Sequence, residues 1–141
     1  MKLLIADDSE FIRETLVKLL KPVKYIETIY MAKDVKEGIE LVTKLKPDVV
    51  ILDIRMPKGQ GFDVLDEAKK LNPAPVVIIL TNYTIDQYKQ KAFSKGADYF
   101  FDKSAEFEKV VEVIEELSIN KLLKKNKTFS ADDKSGETAG I

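Results

Sequence analysis

The chain has 141 residues, which is enough for one domain with a sizeable core. Its net charge of -1, with 45% apolar and 33% charged residues, gives no electrostatic case for contact with nucleic acid or an anionic membrane. It contains no cysteine and no histidine, which excludes disulfides, thiolate zinc sites and imidazole catalysis and leaves carboxylates, amines, hydroxyls and a hard metal ion.

Strand and helix signals alternate five times along the chain. In chain order, the predicted strands cover residues 3–6, 25–30, 49–52, 76–80 and 99–101. The first, third and fourth are continuous apolar runs typical of strands buried on both faces, whereas the second mixes apolar and polar residues like an edge strand. Apolar residues at helical spacing predict the helices, over about 11–20, 35–45, 64–71, 84–96 and 107–117. Gly59 and Gly61 mark a loop before the third helix.

Capping residues support the predicted helix starts. They are Asp8 or Ser9 for the first helix, Asp34 with Glu37 for the second, Thr84 with Gln87 for the fourth and Ser104 for the last. Strands that alternate with helices of about 10 to 15 residues predict right-handed crossovers and a parallel sheet covered on both faces. Five such units predict a flavodoxin-like doubly wound five-stranded sheet of order 2-1-3-4-5, an α/β fold with helices on both faces.

One domain, over residues 1–120, is expected to account for most of the chain. Residues 121–141 carry several lysines and acids but few large apolar side chains. The last helix is expected to run a turn or two into this segment, and the tail beyond about Asn126 is predicted to be disordered. No apolar run approaches the roughly 20 residues of a membrane-spanning helix, so the expected compartment is the cytoplasm.

Polar side chains follow the strands at their carboxyl ends, where open α/β sheets bind ligands. The first strand delivers Asp7 and Asp8, the third Asp53, the fourth Thr81 and the fifth Lys103. Because parallel strands end at the same edge, we expect these side chains to lie together. Three neighbouring carboxylates repel one another, so we expect Lys103 and a hard divalent ion such as Mg²⁺ to neutralise them.

Such a cluster suits phosphoryl transfer, in which the protein mainly positions groups and neutralises charge. A carboxylate can act as the nucleophile and form an acyl phosphate. Mg²⁺, the Lys103 amine and the Thr81 hydroxyl would then hold the three phosphoryl oxygens.

Four motifs occur in order at the ends of the predicted strands: DD at 7–8, LDIRMPKGQGFDVL at 52–65, LTN at 80–82 and FDK at 101–103. Together they resemble the receiver domain of two-component response regulators, of the chemotaxis-regulator type, over about residues 1–118. The resemblance implies that Asp53 is the phosphoacceptor, Thr81 the switch hydroxyl and Lys103 the partner of the phosphoryl group.

The same resemblance implies a metal site and an aromatic switch. Asp8 is expected to bind Mg²⁺ directly, Asp7 through water, and Asp53 and the backbone carbonyl of Arg55 to complete the ligands. Phe100 takes the switch aromatic position and works through packing, because it lacks the hydroxyl of the commoner tyrosine. Gly61 fits the loop glycine of the family.

The sequence departs from the family pattern beside the site. Ser104 follows Lys103 where the family usually has proline, and Asn82 follows Thr81 where a smaller residue is preferred. Arg55 and Tyr83 occupy variable positions that flank the site. We expect them to set how long a phosphoryl group survives on the protein.

The expected function is a phosphorylation-controlled switch. A partner histidine kinase or phosphotransfer protein would supply the phosphoryl group, since this chain has no histidine. The surface formed by the fourth helix, fifth strand and fifth helix would then bind a downstream protein or a second copy of the chain. No direct contact with nucleic acid or membrane, and no turnover of foreign substrates, is expected.

Two alternatives remain open. A carboxylate-nucleophile phosphatase would need a second acid two residues after Asp53, where this chain has Arg55. A phosphorylation-independent interaction module of the same fold is compatible with the departures at Asn82 and Ser104.

Overall fold

The computed structural model describes residues 1–133. Its strands, in chain order, are β1 (Lys2–Ala6), β2 (Thr28–Ala32), β3 (Val49–Leu52), β4 (Arg55–Met56), β5 (Gly59–Gln60), β6 (Val76–Thr81) and β7 (Tyr99–Asp102). Five of them form a parallel sheet of order β2-β1-β3-β6-β7, while β4 and β5 pair with each other as a small antiparallel hairpin. Since the hairpin lies outside the main sheet, this order is the predicted 2-1-3-4-5, and the predicted fold class is confirmed.

Within residues 1–133, four helices connect the strands and a fifth follows β7. They are α1 (Glu10–Leu20), α2 (Val35–Leu45), α3 (Gly61–Lys69), α4 (Asp86–Ser94) and α5 (Phe107–Asp133). Side chains cap the first two as predicted: Ser9 Oγ accepts the Ile12 N–H at 3.2 Å, and Asp34 Oδ1 accepts the Glu37 N–H at 2.8 Å. Local polar residues therefore set both of these starts.

The predicted caps of the last two helices are wrong. Helix α4 begins after Ile85, whose backbone is extended and whose side chain makes no capping bond, so Thr84 does not cap it. Helix α5 begins at Phe107, two residues beyond the turn that contains Ser104. The Ser104 hydroxyl instead donates to Asp102 Oδ1 at 2.8 Å, which draws it away from the helix.

Strand β2 begins three residues later than predicted. Tyr25, the expected first residue, has a left-handed backbone with φ of 71°, which cannot continue into a strand. Its carbonyl oxygen accepts a hydrogen bond from the amino terminus at 2.9 Å. The contact between these distant parts of the chain fixes the bend.

The core forms two layers, one on each face of the sheet. Alternate residues of β1 point to opposite layers: Leu4 and Ala6 pack with α2, α3 and α4, while Leu3 and Ile5 pack with α1 and α5. Every residue of β3 is buried, as expected for a central strand. The sheet is thus held rigidly between helices, with its carboxyl edge free to carry a site.

Helix α5 is longer than expected. It reaches Asp133, seven residues past Asn126, where the sequence predicts order to end. Lys121 Nζ lies 2.8 Å from Asp48 Oδ1, a contact that ties the helix to the opposite edge of the sheet. The predicted disorder of residues 134–141 lies outside the described part of the chain. Within residues 1–133, no helix has the length and apolar character needed to cross a bilayer.

Candidate acidic site at the carboxyl edge of the sheet

At the ends of β1, β3 and β7, the carboxylates of Asp7 and Asp53 both contact the amine of Lys103. Lys103 Nζ lies 2.7 Å from Asp7 Oδ2 and 2.8 Å from Asp53 Oδ2. The three side chains are only 10%, 4% and 7% exposed, for Lys103, Asp7 and Asp53 respectively. This is a buried ion-pair cluster at the place where the strand order predicts one.

Backbone hydrogen bonds just beyond the strands fix these residues in place. The N–H groups of Asp7 and Asp53 donate to the carbonyls of Ala32 and Ala6, each at 3.0 Å. The N–H of Lys103 donates to the carbonyl of Thr81 at 2.9 Å. The sheet ladder thus sets the spacing of the side chains above it.

Asp8 adds a third carboxylate, which is exposed to solvent. One carboxylate oxygen from each of Asp7, Asp8 and Asp53 lies within 4.8 Å of the others. With all three ionised, and with Lys103 charged, the cluster carries an excess of two negative charges. A divalent cation would cancel that excess, and oxygen donors are the ligands that Mg²⁺ prefers.

Burial and hydrogen bonding act against each other at this site. Burial raises the pKa of the Asp7 carboxyl above its usual value, although the bond from Lys103 pulls that pKa down. Burial also disfavours the charged form of Lys103, but its hydrogen bonds to Asp53 and Asp7 outweigh burial and raise the pKa of the amine. Lys103 therefore stays cationic at neutral pH.

The two oxygens of the Asp53 carboxylate differ in their contacts. Its Oδ1 is buried and has no hydrogen-bond partner among the described residues. A buried carboxylate oxygen without a partner is costly, so this atom indicates a ligand. Asp53 lines a cleft of about 590 Å³, together with Asp8, Arg55 and Lys103. The acidic donors, the free oxygen and the open cleft fit a hard cation and an incoming phosphoryl group.

Thr81 and Phe100 lie behind the cleft. Thr81 ends β6, is fully buried, and its Oγ accepts the Tyr83 N–H at 3.1 Å. Phe100 on β7 is also buried, and its ring centroid lies 6.4 Å from that of Phe93 on α4. Lys89, also on α4, holds its Nζ 5.7 Å from the Phe100 centroid. The predicted switch aromatic thus contacts α4 directly.

Arg55 is an exposed residue that lines the cleft. Its guanidinium carbon is 4.6 Å from the Tyr83 ring centroid, and its Nη2 is 3.4 Å from the Tyr88 hydroxyl. These contacts link the β4–β5 hairpin to α4. That the backbone carbonyl of Arg55 binds a metal ion stays a prediction.

Gly61 allows two segments to approach closely beneath Asp53. Its N–H donates to the Ile54 carbonyl at 2.6 Å. A Cβ at this position would overlap the carbonyl oxygen of Asp53 and would lie 2.9 Å from Ile54 Cα. The position requires glycine because any side chain would push on the backbone that carries Asp53.

Sequence reasoning missed several contacts around the site. It did not identify Tyr88, which reaches Arg55 from a helix 33 residues away, because nothing local signals such a pairing. It ended the fifth strand at residue 101 and so left Asp102 in the loop, although Asp102 ends β7 and accepts two hydrogen bonds from Ser104. The four-residue spacing of Asp102 and Glu106 around Lys103 was the available signal.

Comparisons with known proteins agree with this geometry. The family model for the response regulator receiver domain matches residues 3–115. An uncharacterized response regulatory protein of Vibrio cholerae is 37% identical over 116 residues, which cover 81% of this chain and 47% of that protein. A protein-glutamate methylesterase/protein-glutamine glutaminase of Methanococcus maripaludis is 36% identical over 104 residues, covering 73% of this chain and 28% of its own length. The chain thus spans about half or less of the curated relatives it matches.

Among solved structures, a DNA-binding response regulator of the LuxR family from Staphylococcus aureus has a TM-score of 0.74 and 32% identity. The match covers 83% of this chain and 98% of that one.

Proposed function

Because this chain belongs to the response regulator receiver domain family, we propose that it works as a phosphorylation-controlled switch with Asp53 as the phosphoacceptor. The observation that carries the proposal is the state of the Asp53 carboxylate. One oxygen is paired with Lys103 at 2.8 Å, while the other is buried and has no hydrogen-bond partner within residues 1–133. Lys103 therefore holds the first oxygen, and the second oxygen is available to form a bond to phosphorus.

Asp7, Asp8, Asp53 and the carbonyl of Arg55 would hold Mg²⁺ at this site. When bound, the ion supplies positive charge that offsets the phosphoryl oxygens and the surplus charge of the carboxylates. The proximity of the three acids supports this assignment. The rest of the chemistry comes from the side chains of the protein.

In the transfer step, an Asp53 carboxylate oxygen attacks the phosphorus of a phosphohistidine on a partner histidine kinase or phosphotransfer protein. The P–N bond breaks, its electron pair leaves with the imidazole nitrogen, and an acyl phosphate forms on Asp53. Lys103 is already placed to pair with a phosphoryl oxygen, since its ammonium contacts both Asp53 and Asp7. Attack by water on the phosphorus later releases inorganic phosphate and restores the carboxylate.

The phosphoryl group carries about -1.5 to -2 charges, and these replace the single negative charge of the Asp53 carboxylate. The Thr81 oxygen now accepts the Tyr83 N–H, and its own O–H remains available to donate to a phosphoryl oxygen. Phe100 then repacks toward Thr81 and changes its contacts with α4. The face formed by α4, β7 and α5 would bind a downstream protein target or a second copy of the chain. A shift of this equilibrium from 1:99 to 99:1 requires about 5.5 kcal/mol of differential interaction.

We place this switch in the cytoplasm and expect no direct contact with nucleic acid or membrane. We propose too that a further domain, of the kind that the longer relatives suggest, could transmit the signal. We also propose that the protein does not turn over foreign substrates.

Incubation with acetyl phosphate and Mg²⁺, followed by intact mass measurement, tests the proposal. We expect one added phosphoryl group, lost with EDTA and lost in Asp53→Asn. Asp86→Asn, which changes an exposed acid in the first turn of α4, serves as the matched control and should be labelled normally. Release of many equivalents of phosphate from foreign phosphoesters would indicate the phosphatase instead, and absence of labelling would indicate a passive interaction module.

A further inference from the structure

The turn between β7 and α5, which carries Lys103, is held by two acidic side chains. Asp102 Oδ1 accepts the Ser104 N–H at 2.9 Å and the Ser104 hydroxyl at 2.8 Å. Glu106 Oε1 accepts the Asp102 N–H at 2.9 Å, and the Glu106 N–H donates to the Asp102 carbonyl at 2.8 Å. Every one of these bonds joins residues on either side of Lys103.

Further contacts connect this turn to the rest of the domain. Lys109 Nζ lies 3.0 Å from Glu106 Oε2, which anchors Glu106 to the first turn of α5. On the other side, the Lys103 N–H is bonded to β6. The hydrogen bonds from Ser104 lower the pKa of Asp102, and the bond from the Asp102 N–H lowers that of Glu106. Both groups therefore accept as carboxylates at neutral pH.

The turn needs such support because its sequence gives it little stiffness. Residues 103–106 contain no proline, which would fix a backbone angle. Lysine itself has a flexible four-carbon stem. Its amine can point reproducibly at Asp53 only if the backbone below it is fixed.

We propose that Asp102 and Glu106 are positioning residues that hold Lys103 in place for phosphoryl transfer. This inference rests on the proposed function because it assumes that Lys103 contacts the phosphoryl group. Neither acid contacts the reacting atoms. Both act through the backbone on either side of Lys103.

The test compares rates of phosphorylation by acetyl phosphate and Mg²⁺. Misplacement of a reacting group by about 1 Å can cost up to about 100-fold, so we expect Asp102→Ala to slow the reaction by about 10-fold. Asp102→Asn keeps an acceptor oxygen for Ser104 and should recover most of that loss. Glu106→Gln should slow the reaction by a few-fold. Its matched control, Glu108→Gln, removes an exposed charge two residues along and should leave the rate unchanged.

A double-mutant cycle separates positioning from a general effect on the fold. In a Lys103→Ala background, Asp102→Ala should change the residual rate by less than about 2-fold. An equal loss with and without Lys103 would overturn the proposal, as would a wild-type rate in Asp102→Ala. The melting temperature of each variant identifies any that fails to fold. If Asp102→Ala fails, Glu106→Gln carries the test, and a wild-type rate in Glu106→Gln would overturn the proposal.

A second measurement does not depend on phosphorylation. Acetic anhydride at limiting concentration labels lysine amines, and peptide masses report the labelling of Lys103 relative to the other lysines. Labelling of Lys103 should rise several-fold in Asp102→Ala and stay unchanged in Glu108→Gln. If wild-type protein took up no phosphoryl group while labelling still responded, the proposed function would fail and the positioning of Lys103 would stand. Unchanged labelling in Asp102→Ala would overturn the positioning.

Discussion

Replacement of Lys103 by methionine removes the only amine paired with Asp7 and Asp53 among the described residues. Methionine keeps most of the apolar stem, so the change isolates the charge. Two buried carboxylates are then left facing each other without a cation. The protein without metal should therefore lose stability at pH 7.

The expected loss follows from the burial of the group. Removal of one partner from a buried ion pair typically costs about 3–5 kcal/mol, because the other charge is left uncompensated. Lys103 here serves two carboxylates whose side chains are 4% and 7% exposed, so solvent screens the loss very little. Since domains are typically stable by about 5–15 kcal/mol, a loss of this size is a large fraction of the total.

Urea denaturation followed by circular dichroism, with EDTA and then with Mg²⁺, measures this loss. Mg²⁺ at 100 times its dissociation constant adds about 2.7 kcal/mol of stability. It should stabilise Lys103→Met more than wild type, because the variant site has one more uncompensated negative charge. Lys70→Met is the control: its amine pairs with Glu67 at 2.9 Å but is 70% exposed, so solvent screens the pair and we expect little change in stability. A loss in Lys103→Met as small as that of the control would refute the reasoning.

Three further changes have defined outcomes. Gly61→Ala should lower the free energy of unfolding by about 1–3 kcal/mol in urea denaturation, because its methyl group overlaps backbone; unchanged stability would contradict the packing described. Burial raises the pKa of Asp48, but hydrogen bonds from Lys121 and Lys2 outweigh it and hold the pKa below its usual value of about 3.9. Asp48→Ala should therefore destabilise the protein at neutral pH, by about 1 kcal/mol, because solvent screens the partly exposed pair with Lys121. Its difference from wild type should shrink as the pH falls through the lowered pKa, and a difference that grew in acid would show the sign to be wrong. Arg55→Ala removes an exposed side chain that lines the cleft and should change the rate of loss of the phosphoryl group, followed by mass; an unchanged rate would exclude a role for Arg55 in its lifetime.

Much of the fold could be predicted because its signals are local. The apolar run Val49–Leu52 matches β3 at both ends, and the pair Asp34 and Glu37 marks the start of α2. Alternation of strands and helices then restricts the topology to few choices, since crossovers are right-handed and the sheet must be covered.

The errors occurred where distant parts of the chain determine local structure. Tyr25 bends the backbone because the amino terminus binds its carbonyl, so β2 starts late. Ser104 satisfies Asp102 rather than the first turn of α5, so its capping pattern misleads. The β4–β5 hairpin was missed because each of its strands has only two residues, too few for a period to appear.

The placement of the acidic site could be predicted from topology alone. Residues that follow parallel strands must meet at one edge, and the structure brings Asp7, Asp53 and Lys103 within hydrogen-bond distance there. The contacts of Arg55 with Tyr88 and of Asp102 with Ser104 could not be predicted in this way. They depend on side-chain directions that spacing does not determine.

Chemical trapping of the phosphorylated residue tests the central claim most directly. Borohydride reduces an aspartyl phosphate to homoserine but leaves a free carboxylate unchanged, so peptide mass spectrometry after acetyl phosphate, Mg²⁺ and borohydride locates the modified residue. We predict homoserine at position 53, where one carboxylate oxygen is paired with Lys103 and the other has no hydrogen-bond partner in the described part of the chain. Homoserine at position 7 or 8, or a phosphoryl group that borohydride does not convert, would contradict it.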